Sequence, residues 1–246
     1  MRPAALAALA GFAVGCSVPE LDLSGKQCPC VDGYVCDTAS QLCVAGIDGG
    51  AGNDGGSTAS CLGSSTLNTL AFSDDFHSDF SKWMTTGDGV WGVSNNEASQ
   101  SMATSGLAIA APTSLVNLSN YRVEAKLHAL SGATNGRVGV GVRQIISTYE
   151  SLSCSWEPDL GELHIRHTLG SSGDDSNVPA GMAVSIAPTA TVTMEVEIAG
   201  TQLRCCVREA PTVVLSASLA SQATGPPTMW ARSRAGAWTD FQVFTQ

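Results

Sequence analysis

Polar and charged side chains alternate with apolar ones along two segments of the sequence, at residues 149–155 and 162–166. Alternate residues of a β-strand lie on the same face of its sheet, so each segment predicts one polar face. A tyrosine beside small hydroxyls and charged groups can hydrogen-bond a polar ligand and pack against it. The predicted ligand-binding residues are Arg143, Tyr149, Ser151, Ser153, Glu162, His164 and Arg166. The alternative is a serine-rich face that contacts only solvent.

Glu195 and Glu197 come nearest to a pair of carboxylates that could share acid and base catalysis. They flank Val196 on a predicted strand, which places them on one face about 7 Å apart at the usual strand rise. Glu195 and Glu197 are the catalytic alternative in this sequence, and the competing interpretation is a solvent-facing strand surface, of which glutamates that alternate with valine are typical. A serine hydrolase is disfavoured, since the sequence has no Gly-x-Ser-x-Gly elbow.

The composition limits the classes of partner. The chain has 246 residues, with 12 lysines and arginines against 22 aspartates and glutamates, and a formal net charge of -10. Proteins that bind nucleic acid cluster basic residues to neutralise phosphates, so this balance argues against nucleic acid. The length suits one large β domain preceded by a small module.

The elements that must position these side chains are short strands. Apolar residues recur with period two at 121–129, 138–143, 162–166 and 192–198, with turn residues between the runs. No segment shows a sustained helical period. Many short strands of this kind predict an antiparallel sandwich or barrel.

The same alternation pairs four of the nine cysteines. Cys154 and Cys205 each lie between apolar residues on one strand face, so both should point into the core and form a disulfide. Cys206 then faces the other way, and Cys61 is its natural partner. A one-residue bulge at Cys205 would reverse these faces.

Four more cysteines fall within a short segment, residues 28–44, that is too small to bury a core. Two disulfides would hold it together, and we favour Cys28–Cys36 with Cys30–Cys43. Four cysteines allow three connectivities, so the other pairings stay open. A zinc site is the competing interpretation, which an oxidising compartment disfavours.

The N-terminus carries an arginine, an apolar stretch over residues 3–14 and small residues before Cys16. This arrangement resembles the signal peptide and lipid-attachment cysteine of bacterial lipoproteins. The resemblance implies removal of residues 1–15, a palmitate-bearing lipid on Cys16 and a tether over residues 16–27. It places the protein in the cell envelope, at the outer membrane, with secretion as the alternative.

Residues 45–60 are rich in glycine and contain almost nothing that could be buried. Such a composition predicts a flexible linker. The linker separates the cysteine-rich module from the predicted β domain at residues 61–246.

Aromatic and acidic residues at 72–76 and 238–244, with Trp83, the segment 91–93 and the strands at 121–129 and 138–143, form a recognisable pattern. It resembles the laminin-G or concanavalin-like jelly roll of lectins and glucanases. The resemblance implies an all-β antiparallel jelly-roll sandwich in which the first and last strands pair.

That resemblance implies non-catalytic binding of a glycan or another cell-envelope partner. The alternative is a carbohydrate-active enzyme of the same fold, either a glycoside hydrolase or a polysaccharide lyase. The Glu-x-Asp-x-x-Glu string of the laminarinase-like branch does not occur in this sequence. A structural envelope protein is the third possibility.

The resemblance also places Asp74, Asp75 and Asp240 on neighbouring terminal strands. Carboxylate oxygens are suitable ligands for calcium, so a structural calcium ion is one expectation for these residues. The alternative is that they cap the ends of strands. No other cofactor is expected.

Overall fold

The computed structural model describes residues 59–101, 106–145, 147–148, 150–169, 180–219 and 224–246, together with the backbone of strands at 34–37, 42–45 and 174–177. The chain divides into two compact units, residues 1–55 and residues 56–246. The described residues form strands and turns, and they contain no helix long and apolar enough to span a membrane.

In the first unit, β1 (Tyr34–Asp37) and β2 (Leu42–Ala45) form an antiparallel hairpin. Its backbone places Cys36 opposite Cys43. Cys16, Cys28 and Cys30 lie outside the described residues, as do the side chains of this hairpin. The predicted lipid attachment and the disulfides Cys28–Cys36 and Cys30–Cys43 therefore stay predictions.

The described part of the second unit contains fourteen strands. The first seven in chain order are β3 (Thr69–Asp74), β4 (Trp83–Gly87), β5 (Trp91–Ser94), β6 (Glu97–Gln100), β7 (Leu107–Pro112), β8 (Tyr121–Ile145) and β9 (Glu150–Glu157). The other seven are β10 (Glu162–Leu169), β11 (Asp174–Asn177), β12 (Met182–Ala183), β13 (Thr191–Ala199), β14 (Gln202–Val207), β15 (Val214–Ser218) and β16 (Thr228–Thr245).

Two long strands organise this unit, because β8 and β16 pair antiparallel along nearly their whole lengths. At one end they continue into a first sheet, in the order β15-β14-β13-β8-β16-β3. At the other end they continue into a second sheet, in the order β4-β7-β16-β8-β9-β10-β11. Shifts of register between Arg232 and Gly236 mark the change from one sheet to the other, and irregularities of this kind bend strands.

The main hydrophobic core takes alternate residues from both sheets. Val123 and Val196 come from the first sheet, whereas Val140 and Trp156 come from the second, and all four are fully buried in one cluster. The two sheets therefore pack face to face, as in a sandwich. The first and last strands of the sandwich, β3 and β16, pair antiparallel, as the family resemblance implies. The prediction of an all-β antiparallel fold is confirmed.

Two disulfides cross the second unit. Cys154 is bonded to Cys205 within the main core, and Cys61 is bonded to Cys206. These are the two pairings that the strand alternation predicts. Strand β14 pairs with both of its neighbours without a shift of register, so Cys205 and Cys206 keep opposite faces.

Candidate functional site

The second sheet has a polar face on the side opposite the main core. Core residues of this sheet, such as Cys154, Trp156, Ile165 and Met229, alternate with residues whose side chains must point the other way. We define the polar face as the side chains of Arg137, Ser151, Ser153, Ser155, Glu157, Glu162, His164, Arg166, Thr168, Thr228, Trp230 and Arg232. It brings together five of the seven predicted ligand-binding residues: Ser151, Ser153, Glu162, His164 and Arg166.

Strand register arranges the polar face in rows that cross four strands. One row contains Trp230, Gly139, Ser155 and His164, and the next contains Thr228, Gly141, Ser153 and Arg166. Each row thus has a glycine between its β16 residue and its serine. At both glycines, neighbouring atoms occupy the space that a side chain would need. A Cβ on Gly139 would lie 2.0 Å from the carbonyl oxygen of Cys154, and one on Gly141 would lie 2.2 Å from Thr228 Oγ1.

Trp230 belongs to this face and not to the main core. Its chain neighbours Met229 and Ala231 are in the main core, whereas Trp230 forms a separate small cluster with Leu107 and Ile109. The indole is fully buried. Trp230 and Thr228 are functional candidates that the sequence interpretation missed, although the alternation across residues 228–232 carried the signal.

Buried hydroxyl groups on the polar face have no hydrogen-bond partner within the described part of the chain. They are the Oγ atoms of Ser151, Ser153 and Ser155 and Oγ1 of Thr228, and Trp230 Nε1 shares this property. A buried polar group without a partner costs about 1–3 kcal/mol. A row of such groups on one face is therefore expected to satisfy its hydrogen bonds with water or with a ligand.

A buried carboxylate lies at the centre of the charged part of the polar face. Glu157 is only 4% exposed. Its Oε2 lies 3.9 Å from Arg137 Nε, 3.6 Å from Arg166 Nη2 and 3.7 Å from His164 Nε2. Burial raises the pKa of Glu157, and the two arginines counteract that rise. The group thus has ion-pair neighbours at distances longer than a hydrogen bond.

His164 connects Glu157 to a second carboxylate, since His164 Nε2 lies 3.0 Å from Glu162 Oε2. Burial lowers the pKa of His164, and the charge of Arg166 lowers it further. Gly181 packs directly on the imidazole, because a Cβ at that glycine would lie 2.1 Å from His164 Cε1. At neutral pH the imidazole is therefore expected to be uncharged.

Two predicted ligand-binding residues do not join this group. Tyr149 lies outside the described residues. The guanidinium of Arg143 donates hydrogen bonds to main-chain carbonyls instead, at 3.2 Å from Nε to Ser119 O and 2.6 Å from Nη2 to Gly200 O. Its backbone N–H donates to Tyr121 Oη at 2.6 Å. These contacts give Arg143 a structural role in holding two loops.

Glu195 and Glu197 lie on β13 in the first sheet, whereas the polar face belongs to the second sheet. Glu195 is fully buried, and its Oε2 accepts hydrogen bonds from Ser60 Oγ at 2.6 Å and from Leu62 N at 3.4 Å. Arg208 Nε donates to its other oxygen. The expectation of a solvent-facing strand surface is therefore wrong for Glu195, because the segment before β3 covers it.

The three aspartates of the calcium hypothesis do not converge on one point. Asp74 is buried and accepts hydrogen bonds from Trp83 Nε1 at 2.8 Å and from Phe76 N at 3.1 Å. Asp75 lies in solvent beside His77, and burial raises the pKa of Asp240. In the described ranges, the only set of three suitable metal-ligand side chains is Cys61, Glu195 and Cys206, and its two sulfurs form a disulfide.

Comparison with known proteins shows the fold. No protein-family profile and no curated protein matches this sequence. Among solved structures, a protein of unknown function with a galectin-like fold from Bacillus subtilis aligns with a TM-score of 0.57 and 10% identity, over 73% of this chain and 97% of that chain. The carbohydrate-binding module CBM66 from the same organism aligns with a TM-score of 0.53 and 12% identity, over 64% and 91%.

An enzyme is similar to the same degree. LamA from Zobellia galactanivorans, in complex with laminaritriose and laminaritetraose, aligns with a TM-score of 0.52 and 10% identity, over 73% of this chain and 100% of that chain. At such identities the similarity shows the fold alone. The structural neighbours of this jelly roll thus include both carbohydrate-binding modules and glycoside hydrolases.

Proposed function

We propose that the polar face of the second sheet binds a glycan without cleaving it. The observation that carries this proposal is the set of buried hydroxyls without hydrogen-bond partners in the described chain, on Ser151, Ser153, Ser155 and Thr228. A hydroxyl can both donate and accept, as sugar hydroxyls do, so the two sets are complementary. The indole N–H of Trp230 adds a further donor. The carbohydrate-binding module among the structural neighbours supports the same class of ligand.

A double substitution tests this proposal. We expect Ser153→Ala with Ser155→Ala to weaken binding to the best ligand of a glycan array about tenfold, since each lost hydrogen bond contributes about 0.5–1.5 kcal/mol. The same variant should unfold no more easily than the wild type, because each removed hydroxyl is buried without a partner. Calorimetric titration and thermal unfolding of the full chain measure the two effects.

The matched control removes two hydroxyls elsewhere, with Ser216→Ala and Ser218→Ala. Both serines are exposed on β15, in the first sheet. This control should leave glycan affinity unchanged. If the full chain binds no glycan on the array, the proposal is wrong and the structural-protein alternative gains support.

One observation favours catalysis as a second candidate function. Glu157 and Glu162 are paired across β9 and β10, and Oε2 of each lies within 4 Å of His164 Nε2. Two neighbouring carboxyl groups, one of them with a raised pKa as at Glu157, are the arrangement of a glycoside hydrolase. Release of reducing ends from polysaccharides, abolished by Glu157→Gln, would establish this alternative. Absence of turnover would remove it.

We further propose that the protein is held at the cell envelope by lipid on Cys16, with the glycine-rich segment between β2 and Ser60 as the spacer. The support is the sequence around Cys16 together with the count of cysteines, since removing Cys16 from nine leaves an even number. Labelling of cells with radioactive palmitate should mark the wild type and not Cys16→Ser. Equal labelling of the two proteins would contradict the anchor without affecting the glycan site.

A further inference from the structure

Trp230 places a hydrogen-bond donor in apolar surroundings on the polar face. Its strand partner on β7 is Ile109, and the indole packs in a small cluster with Ile109 and Leu107. All three side chains are buried, and Trp230 Nε1 has no hydrogen-bond partner within the described chain. This cluster is separate from the main core between the two sheets. An indole N–H donates and never accepts, so this position requires an acceptor.

A carbonyl group with an apolar substituent suits this position better than a hydroxyl does. A sugar hydroxyl that accepted from Trp230 would need a second partner for its own proton, and Ile109 and Leu107 offer none. A buried donor without a partner costs about 1–3 kcal/mol. A carbonyl oxygen carries no proton. A methyl group attached to the carbonyl carbon would gain from contact with the two aliphatic side chains.

Thr228 supplies a second hydrogen-bonding group beside Trp230. The two residues are two positions apart on β16, so they share one face about 7 Å apart at the usual strand rise. Oγ1 of Thr228 is also buried without a partner in the part of the chain that the structure describes. A hydroxyl oxygen accepts as well as donates. This part of the face therefore presents a donor, an acceptor and an aliphatic surface side by side.

We propose that the glycan bound by the polar face contains an N-acetylated sugar, whose acetamido group binds between Trp230 and Thr228. This inference rests on the proposed function and specifies its ligand. The acetamido carbonyl accepts from Trp230 Nε1, and the acetamido N–H donates to Thr228 Oγ1. The two groups of a trans amide point in opposite directions, so their partners lie on opposite sides of it. The methyl group contacts Ile109 and Leu107.

The serine hydroxyls of β9 then bind the hydroxyls of the sugar ring. Trp230 Nε1 and Thr228 Oγ1 are shielded from solvent, so side chains around them must move when the acetamido group enters.

The test compares two oligosaccharides that differ at one substituent. Tetra-N-acetylchitotetraose and cellotetraose share a 1,4-β-linked glucose backbone and are both uncharged, but only the first carries acetamido groups. We expect the full chain to bind the acetylated tetrasaccharide at least about tenfold more tightly in calorimetric titration, since two further hydrogen bonds form. Equal affinity for the two, or tighter binding of cellotetraose, would overturn the inference. This comparison requires no variant.

Two variants locate the preference. Trp230→Phe removes the N–H donor and keeps an aromatic ring, whereas Thr228→Val removes the hydroxyl and keeps the shape of the side chain. We expect each to weaken binding of the acetylated tetrasaccharide about three- to tenfold and to change the affinity for cellotetraose less. Variants that weaken the binding of both tetrasaccharides equally would contradict the assignment of the acetamido group to these residues.

Trp238→Phe is the matched control for loss of a buried indole. Trp238 is fully buried in the main core, and its Nε1 also has no partner among the described residues. The control should lower the free energy of unfolding without changing the ratio of the two affinities. An equal change of that ratio in Trp238→Phe and Trp230→Phe would show a general loosening of the fold and would overturn the inference.

A spectroscopic measurement reports on the contact itself. The five tryptophans of the chain give separate indole N–H signals in NMR, and Trp230→Phe identifies the signal of Trp230 by its loss. The acetylated tetrasaccharide should shift that signal when it binds, because the N–H gains an acceptor, and cellotetraose should shift it less. A signal that stays in place while the acetylated tetrasaccharide binds would contradict the proposed contact.

The glycan array separates this inference from the proposed function. Binding confined to glycans without acetamido groups would overturn the N-acetyl inference and leave the proposed function intact. Binding to no glycan would contradict both. Binding to N-acetylated glycans that Ser153→Ala with Ser155→Ala also weakens would support both.

Discussion

At the scale of single residues, Glu195 uses one carboxylate to fix the beginning of the domain to the sheet. Ser60 and Leu62 donate to it from the segment before β3, and Arg208 donates from the position directly after β14. Burial would raise the pKa of Glu195, but these hydrogen bonds and the charges of Arg122 and Arg208 outweigh burial and lower it. A carboxyl with a lowered pKa stabilises the folded state when it is ionised.

The sign of this pKa shift gives a pH prediction. The contribution of Glu195 is fully present above the ordinary glutamate pKa of about 4.3 and is lost as pH falls through the lower folded value. Glu195→Gln should reduce the free energy of unfolding by about 2 kcal/mol at pH 7. The difference between wild type and variant should shrink below about pH 4, as denaturant titrations would measure. A difference that grows on acidification would contradict the assignment.

Two glycines of the polar face, Gly139 and Gly141, lead to a prediction about the stability of alanine variants. Gly139→Ala would place its Cβ 2.0 Å from Cys154 O and 2.8 Å from Ser155 Cα, so β9 itself must move. Gly141→Ala would instead meet the hydroxyl of Thr228, which can rotate.

We therefore expect Gly139→Ala to lower the free energy of unfolding by about 3 kcal/mol and Gly141→Ala by about 1 kcal/mol or less. Chemical denaturation of the two variants provides the comparison. Equal losses would contradict the packing described for these two positions. Gly141→Ala moves a hydroxyl of the polar face. We therefore expect it to reduce the free energy of glycan binding by more than it reduces the free energy of unfolding.

Single residues also show where sequence reasoning succeeds and where it fails. Alternation placed Ser151, Ser153 and His164 on one face, because β9 and β10 pair without a shift of register. It failed at Arg143, since the register shifts between Val142 and Ile145 and Arg143 adopts a φ of 51°. A bulge changes which face a side chain occupies, and a two-residue period cannot reveal it.

At the scale of elements, the two disulfides stabilise the same strand from opposite sides. Cys205 and Cys206 are neighbours on β14, and their partners are 51 and 145 residues away in sequence. Loop-closure entropy predicts stabilisation of about 4 kcal/mol for the shorter loop and about 5 kcal/mol for the longer one.

Paired serine variants test these values. Cys61→Ser with Cys206→Ser should lower the free energy of unfolding within the usual range of about 2–5 kcal/mol, because the Glu195 hydrogen bonds still hold the segment. Cys154→Ser with Cys205→Ser should cost more, because it also places two hydroxyls in the main core. Denaturant midpoints under non-reducing conditions measure both. A larger loss of unfolding free energy for the Cys61 and Cys206 variant would contradict this order.

The elements also explain which site residues the sequence did not reveal. In the second sheet, β16 is buried on both faces, since Thr228 and Trp230 on one side and Met229 and Ala231 on the other are all fully buried. Thr228 and Trp230 could therefore be assigned to either face from sequence alone. Only the cross-strand register places them beside Gly139 and Gly141, opposite the serines of β9.

At the scale of the whole molecule, the antiparallel sandwich could be predicted from the alternation of the strands, and the pairing of its first and last strands from the family resemblance. The sequence could not predict which surfaces are covered by other parts of the chain. The segment at residues 60–62 buries Glu195, and Gly181 packs on His164. Both contacts join parts of the chain that are distant in sequence, and no local pattern records them.

The Cys61–Cys206 disulfide has a mechanical consequence if the protein is anchored through Cys16, as we propose. A pull from the N-terminal side reaches Cys61 before it reaches β3, whose hydrogen bonds are with β16. The covalent bond transfers that force to β14, which lies between β13 and β15. Separation of β3 from β16 by such a pull therefore requires rupture of a sulfur–sulfur bond, so under the proposed anchor the domain would resist force applied from its N-terminal side.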